Sequence, residues 1–237
     1  AGKIGLAQIT GEVLRTGGTR DLTGEQIDER LENVAASVES QIGETNGQVS
    51  FSSLKEDVND VLAVFRGLVT GPEFRQEKLE LAKTQLRGLI ARRNDNAPGI
   101  ADREFSELIY GRDNPYGWRM EYEHLNSIQR ADLAAFHKRY FFPKNITLAV
   151  YGDFSTPAMK DLIEKLFGGW SAGESPVPSF PDVKERPQPG TFLAVKNDVT
   201  QTFFRLGHMG GTLKDPDYPA LEVMSHILGG GFASRLV

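Results

Sequence analysis

Histidine, cysteine and carboxylate side chains are the groups from which proteins build zinc sites and general bases, and this chain has few of the first two. Its 237 residues contain no cysteine and four histidines, at positions 124, 137, 208 and 226. No two histidines lie three to five residues apart, so the HExxH and HxxEH motifs of zinc peptidases are both absent. We interpret each histidine as a structural residue.

Other common catalytic and phosphate-binding motifs are absent as well. The sequence has no GxSxG nucleophile elbow, no GxxxxGK phosphate loop and no GxGxxG dinucleotide fingerprint. Three consecutive glycines at 229–231 follow a predicted helix, and this placement favours helix termination over a phosphate-binding loop. The residues alone therefore predict no active site.

The composition is typical of a globular protein, with 39% apolar and 25% charged residues. The formal net charge is -5 and no segment concentrates lysine and arginine, which argues against nucleic acid as a partner. No apolar run approaches the roughly 18 to 20 residues that cross a bilayer, and the first residues show no signal-peptide core. The lack of cysteine fits cytoplasm and periplasm equally, so the compartment stays open.

Hydrophobic periodicity predicts an α+β fold in which helices and strands are mixed along the chain. Thr23 and Gln26 form a capping-box pattern at the start of one helix, and Ser53 and Glu56 form another. Between these helices, alternation in ASVESQIG and GQVSFSSL predicts a β-hairpin with a turn at ETNG. The later predictions are strands at 146–150, in TFLAV and in QTFFRLGH, and a helix from Asp217 to Leu228.

The sequence predicts a division of the chain into three segments. We expect a first α+β domain over residues 1–171, a proline-rich linker over 172–190, and the start of a second α+β domain over 191–237. The linker holds five of the twelve prolines and no apolar period, which favours an extended, stiff segment. A strand pair and one helix bury too little surface for a core of their own, so the second unit is expected to be truncated or to lean on the first.

The segment GLAQITGEVLRTGGT at 5–19 resembles the zinc-binding helix of the pitrilysin/insulinase metallopeptidase family, to which the mitochondrial processing peptidase belongs. That helix reads roughly GLAHxxEHxxxxGT in the family. Further segments resemble the family's recurrent ones in the family's order: LTGEQIDERLENVAASV, LKEDVNDVLAVF, NPYG, FHKRYFFPKNITLAVYGDF, QTFFRLGHMGG and LGGGFASRL. The resemblance covers nearly the whole chain.

The resemblance also implies that the zinc motif is degenerate. The two zinc histidine positions fall on Gln8 and Glu12, and the catalytic glutamate position falls on Gly11. The third ligand, a distal glutamate, falls in a window centred on Gly88, and no carboxylate lies between Glu80 and Asp95. An amide is a poor zinc donor and glycine provides no base, so no catalytic residue and no metal ligand is expected in this chain. Instead, Glu12 is predicted to form an ion pair on the helix surface with the arginine three positions later.

The fold implied by the resemblance is a tandem of LuxS-like and processing-peptidase-like domains, each a mostly antiparallel sheet flanked by helices. The first domain would lack its opening strands before Ala1. The implied function is that of a non-catalytic family member, either a partner subunit or the silent half of a peptide-degrading or processing metallopeptidase. No cofactor is expected in this chain, whereas zinc is expected in an active partner that carries HxxEH.

Active members of the family take substrate as an added strand on an edge strand, and the matching stretch here is Ser40, Gln41 and Ile42. Glu39 precedes this stretch and favours a blunted edge strand over a peptide site. Two further hypotheses stay open. One is a structural or assembly protein of the same fold without peptide binding, and the other is an active zinc endopeptidase whose ligands lie outside this sequence.

Overall fold

The computed structural model describes residues 2–171, 176–183 and 188–236. The predicted linker lies partly outside these ranges, at 172–175 and 184–187. The elements are α1 (Leu6–Thr16), α2 (Gly24–Glu32), β1 (Ser37–Ile42), β2 (Gly47–Ser52), α3 (Val58–Thr70), α4 (Gln76–Arg92), α5 (Ala97–Tyr110), α6 (Tyr122–Ser127), α7 (Arg130–Tyr140), α8 (Thr156–Phe167) and α9 (Tyr218–Gly229).

One of the two predicted capping boxes is formed and the other is not. At α2 the Thr23 hydroxyl accepts a hydrogen bond from the backbone N–H of Gln26 at 3.2 Å. The side-chain oxygen of Gln26 accepts one from the backbone N–H of Thr23 at 2.9 Å, which confirms the capping box. The predicted box at Ser53 and Glu56 is wrong. Residues 55–57 form a turn in which Asp57 N–H donates to Leu54 C=O, so helical backbone begins only at Val58.

The predicted hairpin is confirmed as an antiparallel pair. β1 and β2 run in a register that places Ser37 opposite Ser52 and Ile42 opposite Gly47. Val38 and Ile42 are buried on one face of β1, while the alternating residues of the other face are exposed. α1 packs on β1, and α3 packs on both strands. The hairpin therefore fixes the position of α1, the helix that carries the degenerate motif.

A single apolar cluster holds the helices of residues 2–171 together. The residues at its centre are fully buried and come from α1, α2, α3, α4 and α7: Ile9, Leu14, Ile27, Leu62, Leu68, Leu79 and Leu133. Phe65 links this cluster to the hairpin and to α8, with ring centroids 5.1 Å from Phe51 and 6.4 Å from Phe167. Burial of these side chains from water is the main force that positions α1.

The strands predicted at 146–150, in TFLAV and in QTFFRLGH are not formed, and this corrects the expected sheet. Among the described residues the β1–β2 pair is the only sheet, because no neighbouring backbone pairs with these three segments. Alternation marks which side chains share a face, but a strand also needs a hydrogen-bonded neighbour. The fold is therefore α+β with a small two-stranded sheet. The last predicted helix is confirmed as α9.

Some of the described residues after 175 contact the first unit. Pro181 C=O accepts a hydrogen bond from the buried Asn114 side chain at 3.3 Å, and the Phe180 ring lies 4.9 Å from that of Tyr116. Further on, the Arg205 guanidinium binds both carboxylate oxygens of Asp102 in α5. Within the described ranges, no helix is both long and apolar enough to cross a membrane.

Candidate functional site

Two positions of the degenerate motif lie on the wall of a cavity with a volume of about 1490 Å³. Gln8 and Glu12, one turn apart on α1, both line it. So do Ser40, Gln41 and Ile42 at the end of β1, which the sequence analysis considered as a substrate-binding strand. The structure thus brings the two groups of predicted site residues to one cavity.

Gly11 does not line this cavity, because it packs directly on the backbone of β1. A Cβ atom placed on Gly11 would lie 2.7 Å from the backbone nitrogen of Ile42 and 3.3 Å from the carbonyl carbon of Gln41. The first distance is too short for any side chain, so α1 lies this close to β1 only because residue 11 is glycine. The position that resembles the catalytic glutamate is therefore occupied by a helix–strand contact.

Glu12 is a half-buried carboxylate without a partner. Among the described residues no hydrogen bond or ion pair reaches its side chain, and burial raises its pKa above the usual range for glutamate. The predicted ion pair with Arg15 is wrong. Arg15 instead donates to Val38 C=O at 2.6 Å and to the Asp28 carboxylate at 2.5 Å, since the guanidinium turns towards β1 and α2.

These residues do not fit a catalytic zinc ion, which needs three protein donors and an open position. Gln8 offers an exposed amide, and Glu12 is a single carboxylate. At Gly88 in α4, the only atom within 4 Å of an added Cβ belongs to the Arg92 guanidinium, so this position faces a cation. Across the described part of the chain, no three histidine, cysteine or acidic side chains gather in a way that would hold a metal.

Two of the histidines have evident structural contacts. His124 Nδ1 accepts a hydrogen bond from the Glu121 N–H at 3.0 Å at the start of α6. His137 in α7 is largely buried, stacks on Phe141 at 4.7 Å, and donates from Nε2 to Val69 C=O at 2.8 Å. Desolvation lowers the pKa of His137, so its neutral form is the one that packs.

Several cavity-wall residues were missed from the sequence. Both tryptophans of the chain, Trp118 and Trp170, line the cavity. Residues 177–181, expected to be part of a linker, form another section of its wall. Of the charged residues on the wall, Lys3 is paired with Asp132, and the Arg139 guanidinium lies over the Tyr140 ring at 5.7 Å. The sequence signal for this section of the wall was the pair of apolar residues Val177 and Phe180 within a proline-rich segment.

Comparison with known proteins shows which families of protein this chain is similar to. Residues 127–237 match the sequence profile of the Peptidase M16 inactive domain. The chain is 32% identical over 151 residues to the zinc protease PqqE of Helicobacter pylori, covering 61% of this chain and 33% of that protein. It is 22% identical over 241 positions to the non-peptidase homolog YmxG of the same organism, covering 99% of this chain and 54% of that protein.

A solved structure gives the fold. The crystal structure of the peptidase M16 inactive domain from Pseudomonas fluorescens matches with a TM-score of 0.80 at 22% identity, covering 99% of this chain and 57% of that one. The chain thus spans between a third and somewhat over half of these relatives. The match of residues 127–237 assigns this part of the chain to the M16 peptidase family, in agreement with the pitrilysin/insulinase resemblance.

Proposed function

We propose that this chain is a catalytically silent partner of an active M16 zinc peptidase and contributes a peptide-binding surface to the assembly. The observation that supports the silent role most directly is Gly11, whose contact with the β1 backbone leaves no room for a general base. Gln8 and Glu12 then lack the third donor that zinc requires. Zinc and bond cleavage belong to the partner in this proposal.

The peptide-binding part of the proposal rests on the cavity beside β1. β1 pairs with β2 on one side, and within the described residues no strand pairs with its other edge. An extended peptide binds to such an edge through main-chain hydrogen bonds, which makes few demands on sequence. Ser40, Gln41 and Ile42 would be the receiving residues. Apolar wall residues such as Trp118 and Trp170 would cover the side chains of the peptide.

The proposal extends to the organisation of the whole protein. Residues 1–171 would be the first domain of a tandem, 172–190 the connection, and 191–237 the beginning of the second domain. The match to relatives of nearly twice this length supports that arrangement. The active partner would be a family member with an intact HxxEH motif or a second half of the same polypeptide.

The test compares the full-length protein alone and mixed with the HxxEH-bearing family member encoded nearest to it in the same genome. Zinc is measured by elemental analysis after dialysis, and cleavage is measured on an unfolded, fluorescence-quenched peptide. We expect no stoichiometric zinc and no cleavage by this protein alone, and faster cleavage in the mixture than with the partner alone. As a control, the partner with its HxxEH glutamate replaced by glutamine should give no cleavage in either arm.

Two results would contradict the proposal. Stoichiometric zinc with cleavage by this protein alone would establish an active enzyme. A mixture no faster than the partner alone, together with no saturable peptide binding, would favour the structural or assembly role instead.

A further inference from the structure

The inference concerns Glu12, and it rests on the proposed peptide-binding function of the same cavity. We infer that the Glu12 carboxylate binds the side chain of a lysine or arginine in an extended peptide held against β1. Position 12, which resembles a zinc-ligand position, would thus determine which peptide segments the cavity accepts.

The first observation is that the Glu12 carboxylate is partly removed from water, and no cation or hydrogen-bond donor of the described residues binds it. Removing a carboxylate from water is costly unless a cation or hydrogen-bond donors replace the lost solvent. The nearest cation along the helix, Arg15, binds Val38 C=O and Asp28 instead. Burial without such a partner also raises the pKa of Glu12.

The second observation is that neither basic residue of the cavity wall neutralises the Glu12 carboxylate. Lys3 is bound by Asp132 in α7, and the Arg139 guanidinium lies on the Tyr140 ring. Neither forms an ion pair with Glu12. The remaining acidic wall residue, Glu44, lies exposed in the hairpin turn, so it is solvated by water. Glu12 is therefore the half-buried charge that an incoming group would neutralise.

The third observation concerns Ser40, on the strand that faces α1. Its hydroxyl oxygen is buried and has no hydrogen-bond partner among the described residues. Contacts of α1 with β1 lie on both sides of it, from Arg15 to Val38 and from Gly11 to Ile42. Glu12 and Ser40 line the same cavity, so its wall carries both an unpaired carboxylate and a hydroxyl without a hydrogen-bond partner.

The walls indicate why a basic side chain fits better than a bare cation. The wall of the same cavity also presents apolar surface from Met120, Phe141 and Trp118. Lysine and arginine carry a long aliphatic stem below the charge, and they bury that stem against apolar surface while the charged end reaches an acceptor. A metal ion would lack both the stem contacts and a third ligand.

The experiment uses the full-length protein and two short peptides of alternating threonine and valine, N-acetylated and C-amidated. One carries a single central lysine and the other carries norleucine, which keeps most of the aliphatic stem without the charge. Because both tryptophans lie on the cavity wall, their intrinsic fluorescence reports binding. At pH 8 the lysine peptide should bind roughly tenfold more tightly than the norleucine peptide, the size of one charged hydrogen bond.

Matched variants assign the preference to Glu12. Glu12→Gln keeps the shape and removes the charge, so it should bind the two peptides equally. Glu44→Gln removes an exposed acidic residue of the same cavity and should keep the preference. Retention of the preference in Glu12→Gln, or its loss in Glu44→Gln, would overturn the inference.

The unmodified protein provides a test that needs no variant. If it binds the two peptides equally, the inference fails while peptide binding stands. If it binds neither peptide, peptide binding by this cavity fails and the inference falls with it.

Discussion

Replacing Gly11 with alanine tests the helix–strand contact on which the silent role depends. The added Cβ would lie 2.7 Å from the backbone nitrogen of Ile42 and 3.1 Å from its Cγ1 atom. The backbone nitrogen cannot rotate away as a side chain can, and Ile42 is held opposite Gly47 in the hairpin. α1 and β1 must therefore separate by several tenths of an ångström.

The size of the effect is a balance of two opposing contributions. Alanine in place of glycine inside a helix stabilises by about 1 kcal/mol. Overpacking of a well-packed contact costs about 1 to 3 kcal/mol, and a contact this short with main chain belongs at the upper end. We expect Gly11→Ala to lower the free energy of unfolding by about 2 kcal/mol.

Gly88→Ala is the matched control, because Gly88 is also inside a helix but has open space around it. Its added Cβ meets only the flexible end of the Arg92 side chain, at 3.8 Å. This variant should raise the free energy of unfolding by up to about 1 kcal/mol. Urea unfolding followed by circular dichroism measures both. The reasoning would be refuted if Gly11→Ala were as stable as the unmodified protein while Gly88→Ala behaved as expected.

Three further predictions follow from the site and its surroundings. Combining Gln8→His with Glu12→His should not give one zinc per chain by elemental analysis, because Gly88, at the position that resembles the distal ligand, supplies no donor. A zinc content of one per chain would contradict this. In the folded protein His137 packs in its neutral form, and burial lowers its pKa. The unfolded chain therefore binds a proton at this residue more readily than the folded chain does. The free energy of unfolding should consequently fall as the pH drops through the ordinary histidine range. Urea titrations between about pH 8 and 5 should show a flatter profile for His137→Gln, and an unchanged slope would count against the assignment. Arg15→Met should lower the free energy of unfolding in urea by about 1 to 3 kcal/mol, because it leaves the Val38 carbonyl and the Asp28 carboxylate without their partner. Asp28→Ala removes only the exposed partner and should lower it by less. Equal losses would contradict the larger role given to the bond with the carbonyl.

Local signals predicted helices and the hairpin well. The capping box at Thr23 was confirmed because this motif acts within one turn of the backbone. Alternation at 146–150 was a weaker guide, because a strand depends on a distant partner that no local pattern reveals. The α+β class thus followed from the sequence, but the extent of the sheet did not.

The candidate site was predicted as a set of missing ligands rather than as a cavity. The sequence identified Gln8, Gly11 and Glu12 through their place in a motif frame. It gave no indication that Gly11 lies on the β1 backbone, since that contact joins residues thirty positions apart. The partner of Arg15 was predicted wrongly for a similar reason. A neighbour on the same helix was assumed, while a carbonyl of β1 offered a bond in a less solvated place.

The proline-rich wall of the cavity gives the cleft two unlike sides. Residues 178 and 181 are prolines without an N–H group, and the carbonyl of Pro181 is already taken by Asn114. This wall can offer rings and aliphatic surface to a bound chain, but it is poorly suited to extend a hydrogen-bonded ladder. β1, which lines the same cavity, has both N–H and C=O groups. A peptide bound there would therefore have its backbone aligned by β1 alone, while the proline-rich wall would select its side chains by size and shape.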